Sequence, residues 1–354
     1  MLTRFLKRVA NVIRQHGLFE LIVRIIQRIF SIPVACLIIC IYPIFKIRLI
    51  QLYSNRIGHF AVNTHLLLCA LELNDFIEEK NCIHLYYLQT SLPVCNHFFS
   101  KMCSRAITIL PTWGAFWGHV NAILIFFLKE KYNTPFKKMF ESTVGGHDER
   151  NYYKRCKKQF FSFTEDEKTT GEALKRQLGI PVGANYICLL VRDSAYLQQH
   201  IPNGQWWVQD FRNADIKTYR EAIEYLTQND IYVVRMGKAA ASPLEINNAK
   251  FIDYPYHPLR SDFMDIYLSA HCFFFVSTSC GIDSIAKIFH RPLVATNVII
   301  HDIETTGNCT FLLPKKFMDI KSQSLVSYRD VFNDLEDLTY REKRMDPSGY
   351  TPLD

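Results

Sequence analysis

The sequence has no CxxC pair, although its 354 residues include 11 cysteines, an odd and scattered number. Several sit inside apolar runs such as 187–190 and 272–276, where cysteine behaves as a small buried hydrophobe rather than as a disulfide partner or metal ligand. That pattern reads as a reducing compartment. The GxSxG elbow is missing too, which leaves a serine hydrolase without its strand–turn–helix nucleophile. There is no strand-end DxD pair to hold a divalent metal. Charge of one sign is not concentrated enough for a nucleic-acid protein: 41 Lys and Arg stand against 34 Asp and Glu, a net +7, with no reading motif. Nucleic acid is therefore not an expected partner.

Acid is nearly missing from the amino terminus. Over residues 1–28 only Glu20 opposes Arg4, Lys7, Arg8, Arg14, Arg24 and Arg28. Apolar residues interleave with these at helical spacing, which predicts a basic amphipathic helix or helix pair. Residues 29–45 then carry no charge and are interrupted by Pro33 and Pro43. A run of that length lies at the lower edge of the ~17 to 25 residues that span a bilayer. No small-residue cleavage site follows it, so a removable signal peptide is disfavoured. The expectation is a membrane-associated segment over 1–46, spanning or lying flat, with its basic residues toward the cytoplasmic leaflet. The competing reading is an apolar helical hairpin packed on the domain behind it.

What is present beyond residue 46 is an alternation of apolar strands and helices. Residues 186–191 (YICLLV) read as a buried strand ending in Arg192 and Asp193, 216–226 as a helix, and 231–236 as a second strand ending in Arg235, followed by Gly237 and Lys238. Two such strands joined across a helix form a βαβ unit, and ligands of open parallel sheets collect outside the strands' carboxyl ends. Cations at those ends predict an anionic ligand. A strand over 272–276 then leads into Ser277, Thr278, Ser279, Cys280 and Gly281, with a helix over 282–289 that contains Asp283. Side chains this small admit a ligand to the backbone, and free N–H groups at a helix start favour a phosphate. Ser261 is placed to cap a helix over 262–270. Lys315 and Lys316 follow a short strand and either add charge at the site or are solvated.

The preceding domain opens with a strand at 47–53, a tight turn at 55–59 and a helix over 60–73; strands are expected at 82–88 and 106–110, with helices at 94–103 and 113–128. His59, polar and at the mouth of this sheet, is a candidate base for a substrate hydroxyl; the alternative is a capping or interdomain histidine. Gly145-Gly146-His147-Asp148 reads as a loop, and the charged, aromatic stretch after it as the bridge between domains. The division is thus 1–46 membrane-associated segment, 47–160 first Rossmann-like domain, 161–183 linker and 184–354 second Rossmann-like domain.

NRIGHFAVN at 55–63, VRDSAYL at 191–197, FRNADIKTYREAI at 211–223, VVRMG at 233–237, STSCGIDSIAKIFHRPLVATN at 277–297 and FLLPKK at 311–316 run in one order over about residues 45–320. Together they resemble a bacterial family of GT-B type glycosyltransferases associated with surface carbohydrate synthesis. The resemblance implies two Rossmann-like domains facing across a cleft, a nucleoside-diphosphate sugar held mainly by the second, and a glycan or lipid-linked acceptor held mainly by the first. No cofactor beyond that donor is expected, and the basic amino terminus places the chain at the cytoplasmic face of the inner membrane, peripheral or with a single span. Gly58-His59 matches the glycine–histidine turn that lies beside the cleft in other GT-B enzymes, which implies a catalytic role for His59. The chain departs from the family at 198–209, with Trp206-Trp207, and it stops before the family's usual carboxyl-terminal helix.

The expected chemistry is metal-independent glycosyl transfer. Arg192, Arg235, Gly237, Lys238 and residues 277–281 with Asp283 would bind the donor, and His59 or Asp193 would be the base. Asp193 reads equally as a structural partner of Arg192 or Arg235. Rival expectations are a sugar-nucleotide epimerase of the same fold and a membrane-docked binding protein without catalysis.

Overall fold

The computed structural model describes residues 2–89, 93–141, 148–200, 210, 212–298, 309–330 and 350–353. Gly145-Gly146-His147 and Trp206-Trp207 lie outside them. The chain divides into two compact units, 1–147 and 148–354. The expected α/β class with parallel sheets is observed.

The first unit begins with one helix, α1 (Leu2–Ile41), rather than a hairpin or helix pair. Pro33 is carried inside it, while Pro43 lies just past its end, where a residue without an N–H cannot continue a helix. Residues 21–41 are long and apolar enough to cross a membrane. β1 (Lys46–Leu52), α2 (Ile57–Glu72) and β2 (Cys82–Leu88) form a βαβ unit, with the two strands parallel from Lys46 opposite Cys82 to Leu52 opposite Leu88. α3 (His97–Ala106), α4 (Phe116–Leu128) and α5 (Pro135–Phe140) follow. The strand expected at 106–110 is reduced to one parallel bridge between Ile109 and Tyr86, because α3 runs on to Ala106 and Pro111 closes the segment.

Among the described residues the sheet of this unit therefore has two strands, and the outer edge of β1 is completed by side chains. Leu49 N–H donates to Tyr132 Oη at 3.0 Å, Lys137 Nζ donates to the Leu49 carbonyl at 2.5 Å, and Gln51 N–H donates to Glu141 Oε1 at 2.9 Å. Buried backbone groups need partners, and here the 121–141 segment supplies them where a strand would otherwise stand. Lys137, fully buried, also pairs with Glu141. Burial pulls the Lys137 ammonium pKa down, against the pull of Glu141. A second buried cluster joins Arg48, His84 and Thr134 to Glu79. Those three together hold its carboxyl below the usual range although burial pushes the other way.

The second unit contains α6 (Tyr152–Arg155), α7 (Glu165–Gln177), β3 (Tyr186–Leu190), α8 (Ala195–His200), α9 (Arg220–Gln228), β4 (Tyr232–Arg235), β5 (Phe251–Asp253), α10 (Asp262–His271), β6 (Phe275–Ser277), α11 (Asp283–Ile288), β7 (Leu293–Val298) and β8 (Cys309–Pro314). The six strands are parallel in the order β5-β4-β3-β6-β7-β8. The chain first builds outward from β3 through β4 to β5, then returns to β3's other side with β6. β3 is buried at every residue because helices cover both faces. Ile187 and Leu189 face Ile216, Tyr219 and Ile223, whereas Tyr186 and Cys188 reach the Leu268 carbonyl of α10. Ser261 caps α10 as expected, accepting from Met264 N–H. Gly171 of α7 is required by packing: a Cβ there would lie 2.2 Å from the Tyr267 ring. β9 (Lys316–Asp319), β10 (Leu325–Val326) and β11 (Tyr350–Leu353) form a small antiparallel sheet. The ten cysteines from Cys36 to Cys280 are free thiols.

Candidate functional site

The strand order reverses between β3 and β6, and the loops leaving those two strands are bonded to each other. Thr278 N–H donates to the Leu190 carbonyl at 3.1 Å, and Arg192 N–H donates to Thr278 Oγ1 at 2.8 Å. Such a reversal point is where open α/β sheets leave a crevice for a ligand.

Three basic side chains gather there. The Arg192 guanidinium donates to Asn213 Oδ1, Arg212 Nη2 to the Ser279 carbonyl at 2.8 Å, and Lys315 Nζ to the Asn213 carbonyl at 2.7 Å. Arg192 and Lys315 are buried. Desolvation lowers the Arg192 pKa and the neighbouring Arg212 charge lowers it further, while Cys280, Asp210 and Asp193 act in the opposite direction. Two guanidiniums held near one another in a desolvated place repel, and an anion between them relieves that repulsion.

The 277–281 loop is tightly organised. Ser277 Oγ donates to Asp283 Oδ2 at 2.7 Å, and Cys280 N–H donates to the same oxygen at 3.1 Å. Ser279 adopts φ 57°, a left-handed backbone uncommon for serine, which turns its carbonyl to Arg212. Asp283 is itself buried, with Lys287 3.8 Å away. Its carboxylate thus holds the loop closed and occupies a backbone donor. Burial raises the Cys280 thiol pKa, with Arg192 acting against it.

Arg235 does not join this cluster. Its guanidinium is 3.1 Å from Asp253 Oδ1 and donates to the Ser242 carbonyl at 2.8 Å, so it ties β4 to β5 and to the loop after Gly237. The register sets this, since Arg235 is opposite Asp253. Gly237 has φ 151°, and a Cβ there would sit 3.2 Å from the Ala239 carbonyl oxygen. Lys238 lies 3.7 Å from Asp262 at the start of α10. Asp193 bonds neither arginine side chain: Oδ1 accepts from Ala195 N–H at 2.9 Å and Oδ2 from Ala241 N–H at 2.8 Å, which caps α8 and anchors the 237–241 loop.

His59 belongs to the first unit. It stands within the first turn of α2, not in a turn before it, because Arg56 is the extended N-cap residue and Ile57 already begins the helix. Its ring centroid is 6.2 Å from that of Tyr53, which leaves the end of β1.

Arg212, Asn213 and Tyr219 were not singled out by sequence reasoning. They lie inside the FRNADIKTYREAI stretch, after no strand; Arg212 and Asn213 reach the site by a loop, while Tyr219 packs in the core under β3 with its Oη 2.7 Å from Thr296 Oγ1 of β7. The strand-end rule does not find residues that arrive by a loop. Lys315, noted beside Lys316 as an open possibility, is the one of the pair that reaches the cluster.

No family model and no curated protein matches this sequence. Among solved structures, Escherichia coli ADP-heptose LPS heptosyltransferase II aligns at 12% identity and TM-score 0.40, over 76% of this chain and 90% of that one. E. coli heptosyltransferase WaaC with ADP-2-deoxy-2-fluoro heptose aligns at 12% and 0.38, over 76% and 92%. The iron-containing dodecameric glycosyltransferase TibC of enterotoxigenic E. coli aligns at 11% and 0.36, over 75% and 62%. At this identity and TM-score these are remote likenesses of backbone course, and the chain's function has to be read from its own residues.

Proposed function

We propose that the protein is a glycosyltransferase that moves a sugar from a nucleoside-diphosphate sugar to a hydroxyl of a surface-polysaccharide or lipid-linked acceptor. The observation that carries this reading is the meeting of Arg192, Arg212 and Lys315 beside the 277–281 loop, at the reversal point of a six-stranded parallel sheet. A diphosphate is the anion that such a ring of donors suits. The acceptor hydroxyl oxygen bonds to the anomeric carbon while the bond from that carbon to the diphosphate breaks and the electron pair leaves with the diphosphate. The three cations stabilise that developing charge, which is the work a metal ion would otherwise do. His59 takes the hydroxyl proton; Asp193, with both carboxylate oxygens accepting backbone N–H groups, is the weaker candidate. Donor binding belongs to the second unit and acceptor binding to the first, with α1 at the cytoplasmic face of the membrane.

The test is thermal unfolding of the full chain against a panel of nucleotide sugars and nucleoside diphosphates. One of them at about 100 times its Kd adds about 2.7 kcal/mol to stability. Arg192→Ala is expected to abolish the shift. Arg235→Ala is the less informative variant, since it leaves Asp253 without its partner and weakens the fold itself. No shift with any member of the panel rejects the proposal.

A further inference from the structure

α1 and α4 lie side by side in the same direction. Ala115 N–H, before α4, donates to Gln27 Oε1 at 3.1 Å, and Tyr42 Oη donates to the Lys131 carbonyl, beyond α4, at 2.7 Å. Between these two clamps Ala35, Ile38 and Tyr42 bury against Leu49, Tyr87 and Val120. The carboxyl-terminal half of α1 is thereby a helix that covers the sheet.

Its opposite face is apolar and open. Ile22, Ile25, Ile26, Ile29, Pro33 and Leu37 are exposed and recur at helical spacing, and Ile44 and Phe45 prolong the ridge. α4, which shares its buried core with α1, leaves Phe126 and Phe127 72% and 63% exposed. Residues 21–41 are strongly apolar and leave most of their surface uncovered by the rest of the chain. This much exposed apolar side chain on two packed helices marks an interaction site. Its two ends are basic: Arg24 and Arg28 at one, and Lys46, Lys129 and Lys131 at the other, with Glu130 as the acid among them. Long cationic side chains beside an apolar face suit lipid phosphates, which they reach while their stems remain in the apolar layer.

We propose that the joint outer face of α1 and α4 inserts into one leaflet of an anionic bilayer and does not cross it. If α1 crossed, Ala35, Ile38 and Tyr42 would leave Leu49 and Tyr87 uncovered and give up the Tyr42 bond to Lys131. Lying in the plane buries the outer ridge and keeps every one of those contacts. This inference rests on the membrane-proximal part of the proposed function, and the nucleotide melts read the donor part independently.

Flotation of the full chain with vesicles of phosphatidylcholine, with and without phosphatidylglycerol, tests it. The protein is expected to float with the phosphatidylglycerol vesicles, less so as salt rises. Replacing both phenylalanines, Phe126→Glu with Phe127→Glu, is expected to weaken binding at least about tenfold, because two apolar side chains are lost from the lipid and two charges are put in their place. These side chains are exposed, so the variant should keep the wild-type melting profile. Ile77→Ser, on the remote 77–79 turn and 85% exposed in the wild type, should float unchanged. Three outcomes overturn the proposal. One is an unweakened double variant together with wild-type protein that resists alkaline extraction, as for a spanning α1. Another is absence of flotation. The third is a wild-type dimer made monomeric by the double variant, with no vesicle binding, which would assign the face to a second copy.

Discussion

Arg192 and Arg235 occupy equivalent places in the sequence, at or just past the end of a βαβ strand, and have different partners. Arg235 has an acid directly across the ladder and is consumed by it; Arg192 has Thr278 and Asn213, and stands near Arg212. What separates them is the residue that register and loops bring opposite, which no local pattern encodes. Asp265 shows the same dependence in a titratable group. Burial raises its pKa from 3.8 to about 6, with Arg260 and the Tyr254 hydroxyl acting against the rise. A carboxyl with a folded pKa above its unfolded value binds its proton more tightly when folded, so the folded chain loses stability as pH rises through that interval. The expected loss is about 3 kcal/mol between about pH 4 and 6. Measured as unfolding free energy, wild type minus Asp265→Asn should fall across that window and level off above it. A difference that does not vary with pH there would contradict the assignment.

Elements whose character is repeated along the chain were legible: β2 occupies 82–88 as the apolar run predicted, β3 and β4 lie within their expected limits, and Ser261 caps α10. The strand at 106–110 was not, since a short apolar segment forms a strand only where it finds an edge. Nor was the completion of β1 by Tyr132, Lys137 and Glu141, which follow it by 80 to 90 residues. Tyr132 donates to Asn121 Oδ1 at 2.9 Å and accepts from Leu49 N–H. Tyr132→Phe should therefore leave one buried donor and one buried acceptor unpaired, at a cost of about 2 kcal/mol. Hydrogen exchange should show the Leu49 amide opening faster, with β3 amides unchanged. Unaltered exchange at Leu49 would mean that the edge is held without the hydroxyl.

At the scale of the whole molecule, the two units have separate sheets and separate cores. The proposed donor chemistry belongs to one of them. A nucleoside diphosphate should slow hydrogen exchange around 190–192, 212–219 and 277–283, and leave β1 and β2 at their unliganded rates. Protection confined to other segments would place the anion elsewhere and remove Arg192, Arg212 and Lys315 from the site.

By itself the sequence determined the α/β class, the alternation of strands and helices, the basic apolar amino terminus and the presence of cations after the strands. Each of these is a property of residues close together in the chain, set by side-chain period, by charge and by where proline and glycine fall. Only the tertiary structure decided which cations converge, that α1 is one helix laid against α4 and the sheet, that the first sheet stops at two strands, and that Asp193 and Asp283 hold loops. Those outcomes depend on partners far apart in sequence, where register, burial and the demand of each buried polar group for a partner select one arrangement among several that the local patterns allow.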